Sequence, residues 1–153
     1  MWNEILENKE RDPNLYSSSA MNVFMRRYQH LYDDAECWIE YDGFSVIVQM
    51  QDGRAYMYDE SEDRLRKIKM FTDSSELTKE EWQKGFAFFL EKAIWESGIP
   101  KYIISEDAGI SIVHFNNCLH NKTIPSAYVL HRLANAIGCE ITDILPHDFV
   151  PLN

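Results

Sequence analysis

GIPKYIISEDAGISIVHFNNCLHNKTIPSAYVLHRLANAIGCEITDIL, residues 98–145, is the stretch whose reading decides the fold. Ile103, Ile104 and Ala108 give a short helix an inner face. Ala108-Gly109-Ile110-Ser111 then supplies a tight turn and a serine suited to cap the next helix. That helix is predicted from Ser111 to about His120, with Val113, Phe115 and Leu119 on its inner side and Asn121-Lys122 at its end. Pro125-Ser126 opens a strongly periodic helix with the inner row Val129, Leu130, Leu133, Ala134 and Ile137, and Gly138 closes it. Ile141 to Leu145 adds one or two turns before Pro146 stops them.

Upstream, Thr78 followed by Glu81 forms a capping box for a helix with Trp82, Phe86, Phe89 or Leu90, Ala93 and Ile94 on its inner face, ending at Ser97-Gly98. These motifs, with Leu119, Lys122, Ile124-Pro125-Ser126 and Leu133 to Cys139, resemble the Xre type of helix-turn-helix protein, the phage repressor and Cro kind. The resemblance covers about the last third to two-fifths of the chain. It implies five helices in an all-α C-terminal domain over 78–153, DNA as a partner, and a dimer set by half-site geometry. It also implies a contact surface made by the first turn of the second helix, here Pro100-Lys101, and by the exposed face of the third. Candidates on that surface are Ser111, Ile112, Val113, His114, Asn116, Asn117 and Lys122. Within it Lys101 reaches phosphate, Asn116 or Asn117 pairs with adenine, and Ile112 touches a thymine methyl. The family commonly places basic or hydroxyl residues along this face, whereas no Arg or Lys lies between Lys101 and Lys122.

The first half reads differently. Trp2, Ile5 and Leu6 predict a short helix stopped by Asp12-Pro13. A second helix is predicted from Ser17, Ser18 or Ser19 to about Asp34, with Met21, Phe24, Met25, Tyr28, Leu31 and Tyr32 on one face. From Trp38 to Lys69 the period becomes two: Phe44, Val46, Val48 and Met50 point one way, Ser45, Ile47 and Gln49 the other. Asp52-Gly53 is then a two-residue hairpin turn. An antiparallel meander on the preceding helix follows, giving an α+β N-terminal region over 1–72 and a polar linker at 73–77. Phage-associated helix-turn-helix proteins with such a strand region are similar in this order.

The 153 residues, 45% of them apolar, suffice for packed cores. No apolar run is as long as a membrane span, and MWNEILENKERD lacks the basic-then-apolar order of a secretion signal, so the reading is a cytoplasmic protein of a bacterial host cell. Cys37, Cys118 and Cys139, odd in number and irregularly spaced, fit reduced thiols. His114 and Cys118 share a helix face but lack a partnering CxxC or HExxH motif, and no phosphate loop or nucleophile elbow is present. No metal, cofactor or catalysis is therefore expected.

Fifteen basic against 25 acidic residues leave a net charge of −10. Ten carboxylates, Asp33, Asp34, Glu36, Glu40, Asp42, Asp52, Asp59, Glu60, Glu62 and Asp63, face one base, Arg54, in the same span. From Phe86 to Asn153, four bases meet seven acids. Two readings follow. In the first, the chain is a phage or prophage regulator reading a short operator. In the second, it is a protein-directed inhibitor that keeps the fold as a scaffold and engages a basic nucleic-acid-binding protein, such as a nuclease, through those carboxylates. Anti-CRISPR proteins are the kind this second reading resembles, by composition and fold.

Overall fold

A computed structural model describes residues 18–152. It is mixed α+β, and the described residues divide into two compact units, 18–69 and 70–152. The helix expected at the extreme N-terminus lies outside the described residues.

In the first unit, Ser18 caps helix α1 (Ser19–Arg27), its hydroxyl accepting the Met21 N–H at 3.1 Å. The expected continuous helix to Asp34 is in fact two. The backbone leaves helical geometry at Tyr28 (φ −127°, ψ 35°) and α2 (Gln29–Asp34) follows. The break sets the Tyr28 ring 5.8 Å from Phe24 and 5.5 Å from Tyr58, and α2 runs straight into β1 (Ala35–Glu40). Strands β2 (Ser45–Met50), β3 (Ala55–Asp59) and β4 (Arg64–Met70) complete an antiparallel meander. Registers Trp38↔Val48↔Tyr56 and Glu40↔Val46↔Tyr58↔Leu65 bring Trp38, Val46, Val48 and Tyr58 to the face where Met21 and Phe24 pack. The opposite face is buried too, at Ile47 and Met57. Phe44 does not join the inner row: it sits in the β1–β2 loop, 50% exposed. The β2–β3 turn has three residues rather than two. Met50 N–H donates to the Arg54 carbonyl and Gly53 N–H to that of Met50, with Gly53 at φ 91°.

The second unit begins with the end of β4. Asp73 caps a 3₁₀ turn (Ser74–Glu76) in the expected linker, and Thr78 and Glu81 form the capping box of α3 (Lys79–Ser97). There follow α4 (Lys101–Ala108), α5 (Ile112–Leu119), α6 (Ala127–Ile137) and α7 (Ile141–Ile144), with Gly98, Gly109 and Gly138 left-handed at three helix ends. Phe86, Leu90, Ile104, Phe115, Leu133 and Ile144 form the centre of the core. The unit is not all-helical. Phe149–Pro151 forms a short strand, β5, packed on α3 where Gly85 leaves room for Val150. The Phe71 N–H donates to the Asp148 carbonyl at 3.2 Å, fixing the chain just before that strand.

Candidate nucleic-acid interface

Two eight-residue helices and a three-residue turn build the surface around the candidate residues. Pro100 precedes α4, Gly109 ends it, and the Ser111 hydroxyl accepts the His114 N–H at 3.1 Å to start α5. Phe115 and Cys118 are fully buried and root α5 in the core. Ile112 (48% exposed), Val113 (66%) and Asn116 are left outside, and His114 and Asn117 are half-buried. Val113 is thus an outer residue, not the inner one expected. Val113 and Phe115 are two apart, about 200° around a helix, so they cannot share a face. Cys118, three after Phe115, takes the inner place. His114 Nε2 is closed off and has no hydrogen-bond partner among the described residues, which removes it from the outward-facing set.

Two of the cations nearby, Lys101 and Arg132, are engaged. Lys101 Nζ lies 2.9 Å from Glu91 Oε1, both side chains about half exposed. Arg132 Nε donates to the Ala108 carbonyl at the end of α4, its Nη1 donates to Tyr128 Oη at 3.0 Å, and the guanidinium stands 5.4 Å above the Tyr128 ring. A Cβ at Gly109 would fall 2.7 Å from Arg132 Nη2, so the glycine serves both its left-handed backbone and this brace. Lys122 is exposed just past α5, where Asn121 takes φ 62° and the Lys122 N–H donates to the Asn117 carbonyl. Sequence reasoning missed two exposed aromatics, Tyr102 and Tyr128. The Tyr128 to Arg132 spacing of four was the available sign of the second.

No protein-family model matches the chain, and no curated protein is significantly similar to it.

The carboxylates expected as one acidic surface are distributed by the sheet. Glu40, Asp42, Asp59, Glu60, Glu62 and Asp63 gather at one end, where the Glu60 N–H donates to the Phe44 carbonyl and joins the two loops. Asp33, Asp34, Glu36 and Asp52 lie toward the other. The first group is built into the fold. Glu40 accepts from Ser18 Oγ at 3.1 Å, Glu60 from Ser19, Asp42 from the Phe44 N–H, and Asp59 from Ser61. Glu62 pairs with Arg66 at 2.6 Å, and Asp63 with Arg27. Bonds from Arg27 and from the Tyr58 hydroxyl hold the Asp63 carboxyl below its usual range. Asp52 is paired with Arg54 at 2.6 Å, while Asp33, Asp34 and Glu36 are exposed.

Among the described residues, no three His, Cys, Asp or Glu side chains converge as metal ligands do, and no helix is long and apolar enough to cross a membrane. A cleft of about 340 Å³ in the second unit is lined by Phe89, Lys92, Glu96, Cys139, Asp143 and His147 among others. Burial, then the charges of Asp143, Glu140 and Glu96, raise the Cys139 thiol, which works against a nucleophilic role for this sulfur. Burial alone pushes Cys118 up to about 11.

Proposed function

We propose that the chain is a DNA-binding regulator of the phage repressor kind, acting in the cytoplasm of a bacterial host cell. In this reading α4 and α5 are the helix-turn-helix pair and α5 enters the major groove of a short operator, with two copies on two half-sites. The observation that carries it is the division of α5. Phe115 and Cys118 anchor the helix in the core, while Ile112, Val113 and Asn116 stand outside. Lys101 and Lys122, at the start of α4 and just past α5, are the phosphate contacts. The test is fluorescence anisotropy with random-sequence duplex DNA at low and near-physiological salt. Binding that strengthens as salt falls and is reduced in Lys101→Ala is the expected outcome. Absence of binding by folded protein at low salt overturns the reading.

The engaged cations and the net charge of −10 favour a second reading, an anti-CRISPR-like inhibitor directed at a basic nucleic-acid-binding protein. Asp33, Asp34 and Glu36 are then the contacts to mutate first, because they are exposed and do not carry the turn bonds of the other carboxylates. Capture of a basic nuclease that is lost in Asp33→Asn/Asp34→Asn/Glu36→Gln, together with no DNA binding, is its signature.

A further inference from the structure

Helix α5, IVHFNNCL, contains no Arg, Lys, Asp or Glu. Its inner residues are rooted in the core and the Nε2 atom of His114 is enclosed, so its outward set is two aliphatic side chains, Ile112 and Val113, and the amide of Asn116. Of the cations beside it, Lys101 is paired with Glu91 and Arg132 with the Ala108 carbonyl and Tyr128, while Lys122 lies exposed beyond its last turn. The four base edges of the major groove call for different chemistry. Guanine offers two acceptors that suit Arg or Lys, and cytosine offers an amino donor that suits a carboxylate. Adenine offers a donor and an acceptor that match an Asn or Gln amide, and thymine offers a methyl group that packs on aliphatic carbon. Helix α5 supplies the partners of the second pair and lacks those of the first.

Resting on the DNA-binding reading above, we infer that this chain selects A·T base pairs, with Asn116 bonding adenine N6 and N7 and with Ile112 and Val113 packed on thymine methyls. Val113 is essential here. Placed beside Ile112 on the outer face, it makes an apolar surface two residues wide. The selectivity comes from uncharged contacts, the amide hydrogen bonds and the packing on methyl groups, so it persists as salt rises while overall affinity falls.

The full chain is used to select from a pool of random-sequence duplexes at low salt. The selected duplex is then compared with a copy in which every deoxythymidine is replaced by deoxyuridine, a change that removes only the methyl groups. The expected result is an A·T-rich motif whose deoxyuridine copy binds about fourfold more weakly for each methyl contacted. The double variant Ile112→Ala/Val113→Ala, which alters two exposed side chains and is checked for folding by circular dichroism, should bind both copies equally. A motif built on G·C pairs, or equal binding of the two copies by the unaltered chain, overturns the inference and leaves the regulator reading standing. Failure of the folded chain to bind any duplex overturns both.

Discussion

At the scale of the residue, one pair governs the electrostatics of the proposed DNA surface. Lys101 is held 2.9 Å from Glu91, both exposed enough for water to screen them. Such a pair contributes roughly 0–1 kcal/mol, so breaking it costs little stability while freeing an ammonium and removing a carboxylate that repels phosphate. Glu91→Gln should therefore tighten duplex binding at low salt by up to about fivefold, with the melting curve nearly unchanged. Weaker binding in this variant would show that Lys101 does not face phosphate. A second residue sets an alkaline limit. Tyr58 is buried, and that burial, followed by its bond to Asp63 and that carboxylate's charge, pushes its phenol up from an ordinary value of 10.0 to about 12. The folded chain keeps this proton where the unfolded chain releases it. The resulting stabilisation is whole below about pH 10 and is lost as the pH climbs toward 12. Stability followed by urea unfolding should thus fall more steeply over that window in the unaltered protein than in Tyr58→Phe, and parallel curves would contradict the assignment.

At the scale of the element, the most legible parts were those whose ends are written in local chemistry. The Thr78–Glu81 capping box, the cap serines Ser111 and Ser126, and the left-handed glycines Gly98, Gly109 and Gly138 stand within a few residues of the turns they specify. The same logic failed where a boundary is set by distant contacts. Nothing local marks Tyr28 as a break, and the ring contact that accompanies it is with Tyr58, thirty residues on. The strand Phe149–Pro151 is too short to show a period, and its burial depends on α3. At the candidate site, Ile112 and Asn116 were named as outer residues by the resemblance and not by helical spacing, which sets Ile112 three before Phe115 and seven before Leu119. The commitments of Lys101 to Glu91 and of Arg132 to Ala108 were not legible, since each joins different helices. Gly85 tests the packing that sequence could not reveal. In the middle of a helix a Gly→Ala change normally gains about 1 kcal/mol, but here the added Cβ would lie 2.5 Å from Val150 Cγ1 and 3.1 Å from Pro146. Overpacking of this kind costs about 1–3 kcal/mol, so Gly85→Ala should lower the melting temperature by several degrees. A rise would show that β5 does not sit closely on α3.

At the scale of the whole molecule, the balance of charge decides how DNA can be held. A chain carrying −10 gains little from long-range attraction to a polyanion, and its approach to the duplex is opposed until close contact is made. The acids at one end of the sheet do not change this by being paired with Arg27 or Arg66, because each pair also consumes a base. Lys101 and Lys122 are the phosphate contacts of the proposed surface. At roughly −0.9 in log K against log salt for each contact, one copy should give a slope of about −2 and a pair of copies on two half-sites about −4. Many duplex-binding proteins neutralise about 6–10 phosphates and have correspondingly steeper slopes. The measurement is anisotropy with the selected duplex over a salt series, repeated with Lys122→Ala. The variant should flatten the slope by about one for each copy bound. A slope of about −6 or steeper would mean that basic residues outside α4 and α5 also reach the backbone. A shallow slope in the chain, together with a preference that survives added salt, would place the discriminating contacts on the uncharged face of α5, where Ile112, Val113 and Asn116 stand.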